Sequence, residues 1–259
     1  MKKKIKDILN KKNKSKIVCL TAYSKNIAKI LDLYCDIVLV GDSMANVLYG
    51  YKNTSGVTLE NIIKHTMSVK SGVKKSLLVV DMPKGSYNNK SVALKNAKLV
   101  MKVTRCDAVK LESNNKNFNI IKELVRSKIP VMGHIGYTPQ FKKKFKIEGT
   151  TSQKTHELIE EALKIERAGA FSIVLECITP KASKKITSKL SIPTIGIGSS
   201  SNCDGQILVT DDMLGLSGFY PKFVKKYADL SRIIEKSVKK YSRDVKNNKF
   251  PRFKNFLNG

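Results

Sequence analysis

A set of polar residues closes short apolar runs in this chain, and their types suit one kind of chemistry. Asp42 and Ser43 follow one run, and Asp81 ends the next. Lys110 and Glu112 share a third, His134 stands within a fourth, and Glu176 ends a stretch headed by Ile173, Val174 and Leu175. Asp211 and Asp212 close a later one. Asp42, Asp81 and Glu112 offer oxygen only, which suits a hard cation such as Mg2+ that takes few carboxylates together with water and substrate oxygens. Neither an H-x-x-x-H spacing nor a cysteine cluster offers a zinc site. Lys110 and Glu112 point to the same face by the two-residue period of a strand. The lysine would hold a substrate carboxylate, or pair with a neighbouring acid. Glu176, behind apolar neighbours, is expected to be desolvated and raised in pKa, as a general base near neutral pH requires; a structural ion pair is the other reading. His134 would hydrogen-bond a ligand or serve the core. One acid at a strand end is ordinarily a loop or helix cap, whereas several from separate strands are harder to explain that way.

Such residues need a scaffold that brings the ends of separate strands to one mouth. Eight short β-branched runs recur, at 17–23, 36–42, 76–83, 108–112, 130–136, 171–177, 193–198 and 206–211. They are continuous rather than alternating, as in parallel strands buried on both faces. Between them, 59–72, 91–102, 118–127, 153–169 and 180–190 carry helical spacing, and Ala168-Gly169-Ala170 reads as a helix stop. Eightfold alternation predicts an α/β fold, a (β/α)8 TIM barrel with its chemistry at the C-terminal ends of the strands. A doubly wound open sheet is the alternative; the count and the lack of a G-x-G-x-x-G turn after the first run weigh against it. The 259 residues fit one barrel domain over 1–259, with a basic segment at 1–16 and a C-terminal helix plus basic tail at 229–259.

The formal charge of +28 suggests a nucleic-acid partner at first sight. The lysines are scattered along the chain, however, only six of the 49 basic residues are arginine, and there is no tryptophan. No basic segment is interleaved with stacking aromatics, so a solvated basic surface is expected, with no nucleic-acid role. No apolar run reaches membrane-spanning length, and no apolar stretch follows the lysine-rich start as a secretory signal would require. Five cysteines without C-x-x-C spacing point to free thiols in a reducing, cytoplasmic setting.

In order along the chain stand Thr21-Ala22-Tyr23, Val40-Gly41-Asp42-Ser43, Asp81-Met82-Pro83, Val109-Lys110-Leu111-Glu112 and Gly133-His134-Ile135-Gly136-Tyr137-Thr138-Pro139-Gln140. Val174-Leu175-Glu176-Cys177, Gly196-Ile197-Gly198, Asp204-Gly205-Gln206 and Pro221-Lys222-Phe223 follow. This ordered set resembles the ketopantoate hydroxymethyltransferase family, over roughly residues 16–227. The resemblance implies a barrel of the phosphoenolpyruvate/pyruvate type, assembled as a homodecamer. It implies Mg2+ held by Asp42 and Asp81, with Glu112 binding directly or through water. The implied substrate is 3-methyl-2-oxobutanoate, chelating the metal and touching Ser43 and Lys110. The implied co-substrate is 5,10-methylenetetrahydrofolate, the implied proton acceptor Glu176, and the implied product 2-dehydropantoate, a pantothenate precursor.

The chain departs from the family pattern at Ser24, where Asp is usual, and at Lys84, where Phe is common. Ser113 and Asn114 stand for a glycine pair, Ser199-Ser200 for Ala-Gly, and 143–149 for a glycine-richer loop. These positions lie in loops where folate would bind, and none removes a named site residue. A sister lyase of the same superfamily would carry a catalytic cysteine in a Lys-Lys-Cys-Gly context, and this chain has none.

Overall fold

All eight apolar runs form strands: β1 (Ile17–Thr21), β2 (Ile37–Val40), β3 (Leu77–Asp81), β4 (Ala108–Glu112), β5 (Val131–Gly136), β6 (Ser172–Glu176), β7 (Thr194–Ile197) and β8 (Gly205–Leu208). The helices are α1 (Ile5–Leu9), α2 (Lys25–Leu31), α3 (Met44–Val47), α4 (Leu59–Gly72), α5 (Lys90–Thr104), α6 (Phe118–Arg126), α7 (Ser152–Arg167), α8 (Pro180–Lys189), α9 (Thr210–Met213) and α10 (Leu230–Lys246). The computed structural model describes residues 2–114, 117–142, 144–218, 220–252 and 255; Lys143 of the departing loop and the last four residues of the tail lie outside them. Two compact units divide the chain, Met1–Thr210 and Asp211–Gly259.

Each strand pairs in parallel with the next, and β8 returns to β1, so the sheet closes as a barrel. Closure excludes the open doubly wound alternative. One face of the strands packs inward, through residues such as Ile17, Ile37, Leu77, Val79, Met132 and Val174. The other packs outward against helix residues including Ile62, Val69, Val100, Ile121 and Ile165. Both faces are apolar because both are covered, which is why the runs show no alternation.

The helices begin where side chains satisfy their first free N–H groups. Thr58 and Asn61 cap α4 reciprocally, Asn89 accepts from Val92 N ahead of α5, and Thr151 accepts from Lys154 N ahead of α7. Gly169, at φ +96°, follows α7 as the expected stop.

Two expectations need correction. The run at 206–211 is shorter as a strand, for β8 ends at Leu208 and Thr210 opens α9. Asp211 and Asp212 are therefore first-turn helix residues, where a carboxylate suits the positive end of the helix dipole. They begin the second unit, and Asp212 accepts from Ser217 within it. The basic segment before β1, read only as lysine-rich, contains α1. Its Ile8 is fully buried among the inward-facing strand residues and closes the N-terminal end of the barrel.

In the second unit, α10 buries none of its residues. Among the described residues no helix is long and apolar enough to cross a membrane.

Candidate active site

The inward-facing positions of β3 run Leu77, Val79, Asp81, and those of β4 run Ala108, Lys110, Glu112. On β5 and β6 the same alternation carries Met132 to His134 and Val174 to Glu176. The period of two therefore delivers Asp81, Lys110, Glu112, His134 and Glu176 to the interior at the C-terminal end. Asp42 and Ser43 follow β2 after Gly41, and Ser43 is the N-cap residue of α3.

Lys110 is the centre of this group. Its Nζ lies 2.5 Å from Asp81 Oδ1, and both side chains are almost wholly buried. The other Asp81 oxygen accepts from the Asp42 backbone N–H at 3.1 Å. His134 lies between two carboxylates, with Nδ1 3.7 Å from Glu112 Oε1 and Nε2 3.1 Å from Glu176 Oε2. Both ring nitrogens are buried, and neither has a partner aligned well enough to count as a hydrogen bond. The Ser43 hydroxyl meets Tyr23 OH at 2.8 Å.

Electrostatics follow from four buried carboxylates around one ammonium. Burial, and then the charge of Asp81, pushes Asp42 up to about 7. Burial and Asp42 push Glu112 well above the carboxylate range. Burial raises Glu176 to about 8, with Lys110 pulling the other way; its side chain keeps 19% of its surface open. Burial works to lower the Lys110 pKa, but Asp81, Glu112 and Asp42 together raise it, so the lysine stays charged. His134 is held neutral, by burial and then by the Lys110 charge.

Two backbone features aim Glu176. Gly136 pairs with it across β5 and β6 at φ +96°, and a Cβ there would stand 2.1 Å from the Glu176 carbonyl oxygen. Only glycine fits. Cys177 sits at φ +52°, a conformation that costs a non-glycine residue about 1–2 kcal/mol. Its thiol is pushed up to about 12 by burial and by Glu176.

The donor set fits a hard divalent cation. It is all oxygen, and when ionised it holds more negative charge than Lys110 can offset. Among the described residues no group of three or more His, Cys, Asp or Glu side chains is placed so as to hold a metal ion by itself. A hard cation here would draw its remaining ligands from water and substrate oxygens.

Sequence reasoning missed two contributors. Gln140 is buried against Asp42 and Glu112, and Tyr87 is buried against Gln140. Gln140 ends a quoted motif, but an amide carries no charge to draw attention. Glu161 of α7, raised by burial, accepts from Ser113 at 2.5 Å beside a cavity of ≈ 190 Å³ that Gly136, Thr138 and Phe141 also line.

Residues 2–253 match the model of a family described as ketopantoate hydroxymethyltransferase. A 3-methyl-2-oxobutanoate hydroxymethyltransferase of Pelagibacter ubique (strain HTCC1062) is 50% identical, over 97% of this chain and 98% of its own length. Another with that name, from Clostridioides difficile (strain 630), is 48% identical over 98% of this chain and 95% of its own. Among solved structures, a phosphonopyruvate hydrolase in complex with oxalate and Mg++ superposes with a TM-score of 0.65 at 10% identity, covering 96% of this chain and 88% of that one. A 2,3-dimethylmalate lyase of the PEP mutase/isocitrate lyase superfamily gives 0.63 at 13%, covering 94% and 87%. At such identities these two show the barrel fold alone.

Proposed function

The chain belongs to the ketopantoate hydroxymethyltransferase family, and from that premise we propose that it transfers a hydroxymethyl group from 5,10-methylenetetrahydrofolate to 3-methyl-2-oxobutanoate, giving 2-dehydropantoate for pantothenate synthesis. The observation that carries this reading is the buried Lys110 ringed by Asp81, Asp42 and Glu112, with Glu176 open to the mouth. Asp42 and Asp81 would hold Mg2+, with Glu112 binding directly or through water; the bound ion supplies Lewis acidity at the 2-oxo group.

The residues of the chain do the rest. Lys110 stays charged and attracts the substrate carboxylate and the oxyanion that grows on the 2-oxo group. Ser43, braced by Tyr23, offers a hydroxyl to the same acid. Glu176 takes the C3 proton; a carboxylate raised to about 8 is basic enough to share a proton with so weak a carbon acid. His134, neutral and 3.1 Å from Glu176, has both ring nitrogens free of aligned hydrogen bonds and can turn one to the ligand. The enolate carbon then bonds to the folate methylene carbon as one of its two C–N bonds breaks, that nitrogen taking up the proton held by Glu176, and water displaces the second nitrogen to release tetrahydrofolate and the hydroxymethylated product.

Apolar side chains left exposed on α2, α4 and α5, such as Ile30, Met67, Leu99 and Val103, suit self-association, for which we propose the decamer of the family resemblance. Five free, buried cysteines suit a reducing cytoplasm.

The test is to supply both substrates and quantify 2-dehydropantoate. Product equal to tetrahydrofolate formed, lost in EDTA and restored by Mg2+, is expected. A folded chain that forms none in Mg2+ contradicts the proposal.

A further inference from the structure

Gln140 joins more of the barrel mouth than any charged residue there. It lies beyond β5 and is 1% exposed. Its Nε2 donates to Asp42 Oδ2 at 2.9 Å and to the Met82 carbonyl at 3.1 Å. Its backbone N–H donates to Glu112 Oε2 at 3.0 Å. Its Oε1 accepts from the buried Tyr87 hydroxyl at 2.5 Å. One residue thus ties groups from the ends of β2, β3 and β4 together.

The chemistry of the amide explains the choice. Nε2 has two hydrogens, and both meet acceptors; Oε1 meets a donor. A flipped amide would set oxygen against a carboxylate and a carbonyl, so the network admits one orientation. A carboxylate here would repel Asp42, and an apolar side chain would leave Tyr87 OH buried without its acceptor. Tyr87 is kept a donor, because burial and the nearby acids raise its pKa far out of reach. The side-chain amide of Gln140 grips one oxygen of Asp42, and its backbone N–H, whose position the anchored side chain sets, grips one of Glu112, so the other oxygen of each is fixed in direction.

We propose that Gln140, braced by Tyr87, is a positioning residue that orients Asp42 and Glu112 for a divalent cation. This rests on the reading of those carboxylates as cation ligands. A strut that merely held the loop would matter to folding and leave cation affinity alone. Partners behind metal ligands tune affinity, and their loss commonly weakens it about 10–100-fold.

The probe is Mn2+ alone, without substrate, with free Mn2+ counted by electron paramagnetic resonance. The full-length chain is compared with Gln140→Leu, Tyr87→Phe and the double variant, each checked by its melt. Gln140→Leu is expected to raise the Mn2+ Kd about 10–100-fold, and Tyr87→Phe to raise it less. Because Tyr87 acts through Gln140, adding Tyr87→Phe to Gln140→Leu is expected to change nothing further. Should Gln140→Leu not fold, Tyr87→Phe, which removes one hydroxyl, carries the test. Wild-type affinity in every folded variant overturns the proposal, and additive effects overturn the bracing by Tyr87. A wild-type chain that binds no Mn2+ overturns the cation reading itself, and the proposal with it.

Discussion

At the N-terminal end of the barrel, Asp32, Asp36 and Asp204 are held below the usual carboxylate range, while at the C-terminal end Asp42, Glu112 and Glu176 are pushed above it. Burial acts upward on all six, so it is not the difference. Partners are. Asp36 receives Lys11 and Lys3, at 2.8 and 2.5 Å, and Asp204 receives Lys12 at 2.9 Å. Asp32 accepts the backbone N–H groups of Ser76, Lys74 and Lys75. At the other end one ammonium, Lys110, serves four carboxyls. The first end closes its own charge balance and is structural. The second leaves three carboxyls raised in pKa with no counter-charge of their own, which suits a site that takes a cation and moves a proton. Some of the conspicuous lysines thereby find a use: those at 2, 3, 11 and 12 all pair with acids of the barrel floor.

Substitutions should separate the two ends. The largest effect is expected from Glu176→Gln, which removes the proposed base and should cut turnover by about 10²–10⁴-fold with the melting temperature held or raised. Turnover within tenfold of wild type would break the assignment of this end. Asp36→Ala should do the reverse. Leaving two lysines and the Val18 N–H without their acceptor should cost about 3 kcal/mol, a melting shift of about 6–12 °C, with turnover at 25 °C within about twofold of wild type. A large loss of activity in a folded Asp36→Ala would mean the ends are not separable. Asp42→Asn, which relieves repulsion with Asp81, should stabilise the chain in EDTA by about 0.5–2 kcal/mol. A destabilised variant would show that the mouth is not strained by its charge.

The smallest effect concerns acid. Asp32, Asp36 and Asp204 have folded pKa values below the unfolded value of about 3.9. In that window the unfolded chain binds more protons, so stability rises with pH. Their contribution is full above about pH 4 and is lost as pH falls through the folded values. Denaturant midpoints between pH 2 and 5 should therefore fall less steeply for Asp36→Ala than for wild type; equal slopes would sink this account of the floor.

Much of this was legible beforehand. The strands were, because β-branched runs covered on both sides stay apolar throughout, and the mouth was, because Asp81, Glu112 and Glu176 end such runs. Asp211 and Asp212 misled, since an acid suits a strand end and a helix start equally. Helix α1 was invisible because five residues do not hold a helix without the contacts of Ile8. Gln140 and Tyr87 were hidden because their role depends on three strands that only the closed barrel brings together. The left-handed Cys177 has no sequence signal of its own.

The central claim is that the charge-rich end is a proton-abstracting site. Hydrogen–deuterium exchange at C3 of 3-methyl-2-oxobutanoate, followed by NMR without folate, tests it most directly. The account predicts exchange that needs Mg2+ and disappears in Glu176→Gln. A folded wild-type chain that shows no exchange in Mg2+, or exchange that survives the substitution, would contradict it.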